Sequence, residues 1–130
     1  MKTLSNWKQR LENDQYAKHN GIEMVEGKTG YARVKMTIQP FHLNGVGIVH
    51  GGAIFTLADF AFAIAANSHD QVAVAINVSI AFIKSVKEGT LYAEARELSV
   101  NPKLGVYQVD VVDEHKALLA SFQGMAYRKK

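Results

Sequence analysis

A single carboxylate interrupts the most apolar stretch of this 130-residue chain. Asp59 lies between Ala58 and Phe60, and the window from Met36 to Ile83 contains no Lys or Arg that could neutralise its charge. Burying a carboxylate without a partner costs several kcal/mol. Two interpretations stay open on these residues alone: a structural Asp that bonds to Thr56 or to nearby backbone, or a general base or nucleophile.

Gly51 and Gly52 precede this carboxylate at the start of a predicted helix. The first N–H groups of a helix have no intrahelical partner and lie at the positive end of its dipole. Because glycine has no Cβ, a ligand can approach the backbone closely there. Such a site can hold an anion, or an oxyanion that forms in a transition state. The alternative is that the two glycines only make a tight turn into the helix.

The spacing of these two features constrains how they could act together. Gly51 and Asp59 are eight residues apart, which is about 12 Å along a helix. A carboxylate that attacks a carbonyl, or activates water for the attack, must lie about 3 Å away or one water away. One helix therefore cannot bring both groups to one carbonyl, and the second group would have to come from another copy across a two-fold interface.

Asn44 and His50 are the other polar side chains near the glycine pair. A His before a glycine turn is typical of a hydrogen-bonded structural residue and can also act as a base. Asn44-Gly45 indicates a turn first and a ligand contact second. His42 and His50 have no companions at metal-ligand spacing, so no metal site is expected. A Gly-x-Ser-x-Gly elbow is absent from the sequence, which does not support a serine hydrolase.

The pattern of apolar residues predicts the elements that must position these groups. We expect a polar helix over 5–20, an apolar helix over 52–67, and strands over 22–26, 31–39, 72–84, 90–99, 105–113 and 118–128. The second helix is apolar on every face, which is typical of a buried helix. An antiparallel sheet wrapped around it is the simplest way to bury it. The sequence therefore predicts one α+β domain over 1–130.

The strand over 72–84 alternates in a way that predicts two distinct faces. Even-numbered positions from Val72 to Phe82 carry the larger apolar side chains. The other face would hold Ala73, Ala75, Asn77, Ser79 and Ala81.

Composition excludes several classes of protein. The chain has no cysteine, so it has no disulfide, no zinc ribbon and no thiol nucleophile. Its start is polar and mixed in charge, and its longest apolar stretch, from Gly51 to Ala66, is too short to span a bilayer; we expect a cytoplasmic protein without a membrane segment. Fifteen basic and twelve acidic residues are interleaved, which is not typical of a nucleic-acid binder. The mild positive charge favours an anionic small ligand.

Three segments carry a resemblance to a known family. Leu43-Asn44-Gly45, Val49-His50-Gly51-Gly52 and Phe55-Thr56-Leu57-Ala58-Asp59 resemble the motif of hotdog-fold acyl-CoA thioesterases, and within them the PaaI-like branch of phenylacetic acid degradation. Ala61-Phe62-Ala63 and Glu12-Asn13-Asp14 extend the similarity, which covers nearly the whole chain. The resemblance implies an antiparallel sheet wrapped around a long central helix. It also implies hydrolysis of an acyl-CoA to free acid and CoA, with an aryl-acyl-CoA such as phenylacetyl-CoA as one expected substrate.

The family's roles transfer onto matching positions. Asp59 matches the carboxylate that acts as nucleophile or activates water, and Gly51 matches the residue whose N–H polarises the thioester carbonyl. Asn44 and His50 match residues that orient the substrate or support the loop, and Gly52 is expected beside the substrate. The resemblance implies a homodimer or a dimer of dimers, with each active site at a subunit interface. It implies no cofactor, because coenzyme A is part of the substrate.

Two departures from the family pattern affect the expected site. Related enzymes often carry Ser or Thr where Ala75 stands, and Asn77, predicted on the same strand face, is the candidate replacement. The usual basic-Pro pair is Lys84-Ser85 in this chain. Lys84 and Lys103 are candidates for contact with the phosphates of CoA.

Two other functions remain open at this point. One is a non-catalytic acyl-CoA-binding module, which the missing hydroxyl at Ala75 favours. The other is a hotdog hydratase that uses His50, although Asp59 and the glycine pair fit hydrolysis better. The preferred acyl group stays open as well, because Phe55, Phe60 and Phe62 could line a pocket or fill the core.

Overall fold

One long helix packs against a six-stranded antiparallel sheet in the computed structural model, which describes residues 6–129. The helix α3 contacts all six strands, and the sheet order is β1-β2-β4-β5-β6-β3. This arrangement confirms the predicted α+β hotdog fold. The helices are α1 (Asn6–Glu12), α2 (Gln15–His19) and α3 (Gly51–Asn67); the strands are β1 (Glu23–Lys28), β2 (Tyr31–Thr37), β3 (Ala73–Phe82), β4 (Thr90–Val100), β5 (Leu104–Val112) and β6 (Leu118–Arg128).

The core lies between α3 and the inner face of the sheet. Leu57, Ala61 and Ile64 of α3 are completely buried, as are Val34 of β2 and Val109 of β5. Alanines on both surfaces allow the helix to lie close to the strands, and larger side chains fill the remaining space at the density of a protein interior. Most apolar side chains of α3 are buried in this packing, whereas the face with Thr56, Asp59 and Ala63 is only partly covered. No helix within residues 6–129 is long and apolar enough to cross a membrane.

The predicted continuous helix over 5–20 is wrong, and residue 5 lies outside the described residues. The chain instead forms α1 and α2, with a break at Asn13 and Asp14. Asp14 is the N-cap of α2, and its carboxylate accepts a hydrogen bond from the Ala17 N–H at 2.9 Å. Asp side chains compete with helical hydrogen bonding in this way, which favours the start of a new helix over continuation of the first.

Gly27 lies within β1, which extends beyond the predicted end of this strand at residue 26. A Cβ at this position would come within 3.2 Å of Ile64 and 3.5 Å of Trp7, so glycine lets the strand pass close to α3. The turn is confined to Thr29 and Gly30, and Gly30 has a φ of 71°.

Strand β3 lies at the edge of the sheet and contains a bulge. Its register shifts between Ala75, which pairs with Ala126, and Asn77, which pairs with Met125. Residues that are directly opposite each other share a face, so Ala75 faces α3 with the buried Ala126, and Asn77 faces away from it. The predicted uninterrupted alternation is wrong because the extra residue at the bulge reverses the two faces. Ala75 and Phe82 consequently share the helix side of β3.

Candidate active site

The loop before α3 is organised by the side chain of Asn44. Its Oδ1 accepts hydrogen bonds from the backbone N–H groups of Val46, at 3.0 Å, and Ile48, at 3.2 Å. Because Oδ1 accepts both bonds, the orientation of the amide is determined. The amide NH₂ remains as a donor beside the cavity that Asn44 shares with Gly51. Asn44 therefore holds the loop in shape and offers a polar group to a ligand.

His50 is the N-cap of α3. Its Nδ1 accepts a hydrogen bond from the Gly52 N–H at 2.7 Å, which places the proton of the neutral ring on Nε2. A Cβ on Gly52 would lie 2.9 Å from Nδ1, so this position leaves little room for a side chain. The ring of His50 and the absence of a side chain at Gly52 together shape the first turn of the helix.

The first N–H group of α3 belongs to Gly51. No atom of residues 6–129 accepts a hydrogen bond from it. Gly51 has no positive φ, so the turn itself does not require glycine. A Cβ on Gly51 would lie 3.2 Å from the ring of Phe82, at the end of β3. These contacts favour a role in close approach of a ligand over a role in the turn alone, and the helix dipole favours negative charge at this N–H.

Gly51 lines a cavity of about 380 Å³. Asn44, Gly51 and Phe82 line it, together with Lys84 and Ser85 of the segment after β3. Lys84 is exposed at its edge, where an ammonium group suits a phosphate. The residues that line this cavity thus include a backbone donor at Gly51, an amide donor at Asn44 and a cation at Lys84.

Lys103 does not reach this cavity within one chain. It lies in the connection between β4 and β5, where its carbonyl accepts a hydrogen bond from the Arg128 N–H at 2.7 Å. Phe82 pairs with Ala120 near the start of β6, and Leu104, the neighbour of Lys103, pairs with Tyr127 near its end. Seven residues of strand separate Ala120 from Tyr127, which is about 23 Å. The two candidate phosphate contacts therefore lie at opposite ends of the sheet.

Asp59 lies in the middle of α3 and faces β3 across a second cavity, of about 200 Å³. It is half-buried, and no hydrogen-bond donor within residues 6–129 reaches its carboxylate. Thr56, the expected partner in the structural interpretation, donates its hydroxyl to the Gly52 carbonyl at 2.7 Å instead. Burial, and secondly the negative charge of Asp14, raise the pKa of Asp59 above its usual value. A carboxylate in this state is well suited to act as a base.

Two residues that the sequence pattern does not single out lie near Gly51 and Asp59. Phe82 covers Gly51, and Asp14 adds a negative charge near Asp59 although 45 positions separate them in the chain. If one bulged residue is allowed in the alternation of β3, the pattern places Phe82 on the same face as Ala75. Nothing in the sequence pattern indicates that Asp14 approaches α3.

The Gly51 cavity and the Asp59 cavity remain separate within one chain. They share no lining residue, in agreement with the separation of about 12 Å along α3. Both lie beside β3, whose outer edge has no neighbouring strand within residues 6–129. One chain thus holds the Gly51 N–H and the Asp59 carboxylate in two separate cavities, which are termed the Gly51 half-site and the Asp59 half-site. Residues 6–129 contain no group of three or more His, Asp or Glu that could hold a metal ion.

Comparison with known proteins identifies the family. The family model described as the thioesterase superfamily matches residues 46–120, which include α3 with Gly51 and Asp59. The acyl-coenzyme A thioesterase PaaI of Escherichia coli K12 is 39% identical over 90% of this chain and 84% of its own length.

Solved structures agree with this match. The PaaI protein from the phenylacetic acid degradation operon of E. coli superposes with a TM-score of 0.91 at 36% identity, covering 98% of this chain and 97% of that chain. The smu.793 protein of Streptococcus mutans UA159, solved bound to acetyl CoA, superposes with a TM-score of 0.80 at 28% identity, covering 83% of this chain and 88% of that chain. The chain therefore belongs to the thioesterase superfamily, as a hotdog-fold thioester hydrolase of the PaaI-like branch.

Proposed function

We propose that the protein hydrolyses an acyl-CoA at a site built from two copies of the chain, with Asp59 of one protomer and Gly51 of its partner acting on the same carbonyl. The observation that carries this proposal is the separation of a free helix-terminal N–H and an uncompensated carboxylate into two half-sites beside an unpaired strand edge. Each half-site has the group that the other lacks.

The edge of β3 supplies a route to such an assembly. If two β3 strands pair in antiparallel fashion, the Phe82 end of one lies beside the Ala73 end of the other. This pairing moves the Gly51 half-site of one protomer toward the Asp59 half-site of its partner. Val74 and Ile76, with exposed fractions of 41% and 55%, would be covered at or near the interface. A ten-residue edge strand with exposed apolar side chains is a template for pairing, and a two-fold interface creates two equal sites.

The chemistry follows from the two half-sites. The thioester oxygen accepts a hydrogen bond from the Gly51 N–H, and the helix dipole stabilises the charge that develops on it. Asp59 takes a proton from water while the water oxygen attacks the carbonyl carbon. The carbon–sulfur bond then breaks, and the leaving thiolate takes the proton from Asp59, which leaves free acid and CoA. In the second form of the mechanism, an Asp59 oxygen attacks the carbonyl carbon, the carbon–sulfur bond breaks and CoA leaves as the thiolate. Water then hydrolyses the resulting anhydride to free acid and the Asp59 carboxylate, and the thiolate takes up the proton that this hydrolysis releases.

The raised pKa of Asp59 suits either form. Desolvation makes the ionised carboxylate a stronger base and a stronger nucleophile than an exposed aspartate. The carboxylate still has to be ionised at the pH of the reaction, so we expect an acid limb in the pH dependence of kcat/KM at the raised pKa.

The relatives support coenzyme A as the thiol and an aryl acid as one acyl group. The E. coli relative is a PaaI acyl-coenzyme A thioesterase from a phenylacetic acid degradation operon, and the S. mutans protein was solved with acetyl CoA. Lys84, at the edge of the Gly51 cavity, is the proposed contact with a CoA phosphate. The cytoplasm is the proposed compartment, in keeping with a chain that has no cysteine.

Thiol release from a panel of acyl-CoAs tests this function. Wild-type protein should release free thiol, and Asp59→Asn should lower turnover by at least about 10²-fold with unchanged circular dichroism. Asp113→Asn is the matched control, because its Oδ1 can still accept the hydrogen bonds from the His115 and Ala117 N–H groups. If Asp59→Asn releases thiol at the wild-type rate, the carboxylate has only a structural role.

A non-catalytic acyl-CoA-binding module is the second candidate. Ala75 lines the Asp59 cavity without a hydroxyl, and Asn77 faces away from it, so neither residue offers a polar group to place a water beside Asp59. In this case the wild-type protein would bind acyl-CoA in calorimetry, release no thiol, and bind equally well as Asp59→Asn.

A further inference from the structure

Two adjoining cavities lie on the side of the molecule that is remote from β3. The larger has a volume of about 400 Å³ and is lined by residues of α2, β1 and β2. The smaller has a volume of about 220 Å³ and lies against the first turns of α3. Asn20 and Phe41 line both cavities. Because β1 is at the opposite edge of the sheet from β3, pairing through β3 would leave this region open.

The smaller cavity has two exposed aromatic side chains in its wall. Tyr16 and Phe41 line it, and their exposed fractions are 65% and 63%. The buried ring of His42 supports Phe41 from behind, with ring centroids 4.3 Å apart, and both ring nitrogens of His42 are hydrogen-bonded. Exposed aromatic side chains on such a support suit the stacking of a planar ring. The cavity has room for one, since about 150 Å³ is enough for benzene.

Two polar side chains of the smaller cavity have a defined hydrogen-bonding character. The Nδ2 of Asn20 donates a hydrogen bond to the Tyr16 carbonyl at 2.9 Å, which fixes the orientation of the amide and leaves Oδ1 as an acceptor. His50 lines the same cavity, and its Nε2 carries the proton of the neutral ring. One acceptor and one donor beside aromatic side chains match a ring that has an amino group and ring nitrogens, as purines do.

The larger cavity carries an excess of basic side chains. Lys18, His19 and Lys35 line it, and Glu23 is the one carboxylate among its lining residues. The Nζ of Lys35 lies 3.8 Å from the Glu23 Oε1, which is longer than a hydrogen bond, and the Glu23 side chain is largely exposed. This loose pair leaves the ammonium group able to turn toward an anion. Two ammonium groups and the hydroxyl of Thr37 suit the oxygens of a phosphate chain.

We propose that the two cavities together bind a purine nucleotide, with the base beside Tyr16 and Phe41 and the phosphates at Lys18 and Lys35. Such a ligand has two sources, a free nucleotide and the nucleotide part of CoA. The site shares no lining residue with the Gly51 half-site or the Asp59 half-site, so the inference goes beyond the proposed function.

Calorimetric titration with ADP tests the site. Wild-type protein should bind ADP with a Kd below about 1 mM, and Lys35→Gln and Phe41→Leu should each raise the Kd by about 5-fold or more. Glu23→Gln should lower the Kd, because it removes the carboxylate that competes with phosphate for Lys35. Lys28→Gln is the matched control: Lys28 also pairs with a glutamate of β1, Glu26, at 3.4 Å, but lies at the other end of the β1–β2 hairpin. It should leave the Kd within about 2-fold.

Titration with CoA distinguishes the two sources of the nucleotide. If the nucleotide part of CoA occupies the site, Lys35→Gln and Phe41→Leu weaken the binding of CoA as they weaken that of ADP, and ADP displaces CoA. If a free nucleotide occupies it, the two variants bind CoA like wild type, and ADP still binds in the presence of saturating CoA. The proposal is overturned if wild-type protein does not bind millimolar ADP, or if Lys35→Gln and Phe41→Leu bind ADP like wild type with melting temperatures retained. Absence of thiol release would contradict the proposed function and leave these binding results unchanged.

Discussion

Asp59 shows, at the scale of one residue, how a partly buried carboxylate affects the stability of this protein. Burial, with a smaller effect from Asp14, raises the pKa of its carboxyl above the usual value near 3.8. The folded protein therefore binds this proton more tightly than the unfolded chain does. The contribution of Asp59 to stability is complete below its unfolded pKa and is lost as pH rises through its folded pKa. At neutral pH the ionised carboxylate destabilises the fold that positions it.

We expect Asp59→Asn to raise the melting temperature at pH 7 while it abolishes hydrolysis. The gain should shrink as pH falls toward the range in which Asp59 is protonated in the folded protein. Thermal denaturation of both proteins across this pH range measures the effect. Asp113→Asn should lower the melting temperature at neutral pH, because hydrogen bonds from Ala117 and His115 hold the pKa of Asp113 below its usual value. Identical curves for wild type and Asp59→Asn would contradict the account of Asp59.

Substitutions of Gly51 test whether the turn or the candidate site requires a glycine at this position. Gly51→Ala should leave the free energy of unfolding within about 1 kcal/mol of wild type or increase it, because alanine is favoured over glycine in a helix. It should lower kcat/KM by about 10-fold or more, since the methyl group enters the space between the N–H and the Phe82 ring. Gly51→Val should lower it further. Steady-state kinetics beside thermal melts decide the point; a lower melting temperature with unchanged kcat/KM would assign the glycine to the turn.

His42 connects several elements around the half-site that contains Gly51. It is buried, its Nδ1 accepts a hydrogen bond from the Gln39 N–H at 2.9 Å, and its Nε2 donates one to the Asn20 carbonyl at 3.1 Å. Its own carbonyl accepts a hydrogen bond from the His50 N–H at 2.7 Å. The ring must be neutral to make both side-chain bonds. It thereby joins the end of α2 to the loop that precedes α3.

This connection should weaken in mild acid. Burial lowers the pKa of His42 below its usual 6.5, although the Asn20 carbonyl opposes the shift. The unfolded chain then binds the proton more tightly, so stability falls as pH drops below about 6.5. We expect wild-type protein to lose more melting temperature between pH 7 and pH 5 than His42→Gln, which can still accept and donate one hydrogen bond. His115→Gln, at an exposed position, should behave like wild type. Parallel pH curves for wild type and His42→Gln would refute the titration.

At the scale of the whole molecule, β3 leaves one edge of the sheet without a neighbouring strand within residues 6–129, and the two half-sites of one chain lie apart. Lys103 is likewise too far from Lys84 to act beside it within one protomer, because the two lie at opposite ends of the sheet. Pairing through β3 would create two complete sites, each with a carboxylate from one protomer and a helix N-terminus from the other. Either Asp59→Asn or Gly51→Val alone would then inactivate both sites of a homodimer.

Mixed dimers of two inactive variants should recover activity. In a hybrid of Asp59→Asn and Gly51→Val, one site carries both lesions and the other carries neither. Random mixing makes about half of the dimers hybrid, so about a quarter of wild-type activity should return. The two variants are unfolded together, refolded, and compared in thiol release with each variant refolded alone. Absence of any gain, with subunit exchange established by mass spectrometry, would exclude the shared site, as would a monomeric elution volume for active protein.

Features that depend on local pattern could be predicted from the sequence. The buried α3 follows from apolar residues on every face, and the antiparallel strands follow from alternation and their turns. The isolation of Asp59 follows from the absence of nearby basic residues in the chain. The separation of Gly51 from Asp59 within one chain follows from the rise of a helix, because the two are eight residues apart whatever surrounds them.

Only the tertiary structure decided which residues meet across elements. One bulged residue reverses the faces of β3 without changing its composition, so Asn77 faces outward and Phe82 reaches Gly51. The three phenylalanines of α3 likewise differ in their neighbours: Phe62 lines the cavity beside Asp59, Phe55 packs against Phe122, and Phe60 is buried on the side of Asp14. Apolar pattern shows that a residue is buried, whereas the neighbour that buries it depends on strand register and on chain segments distant in sequence.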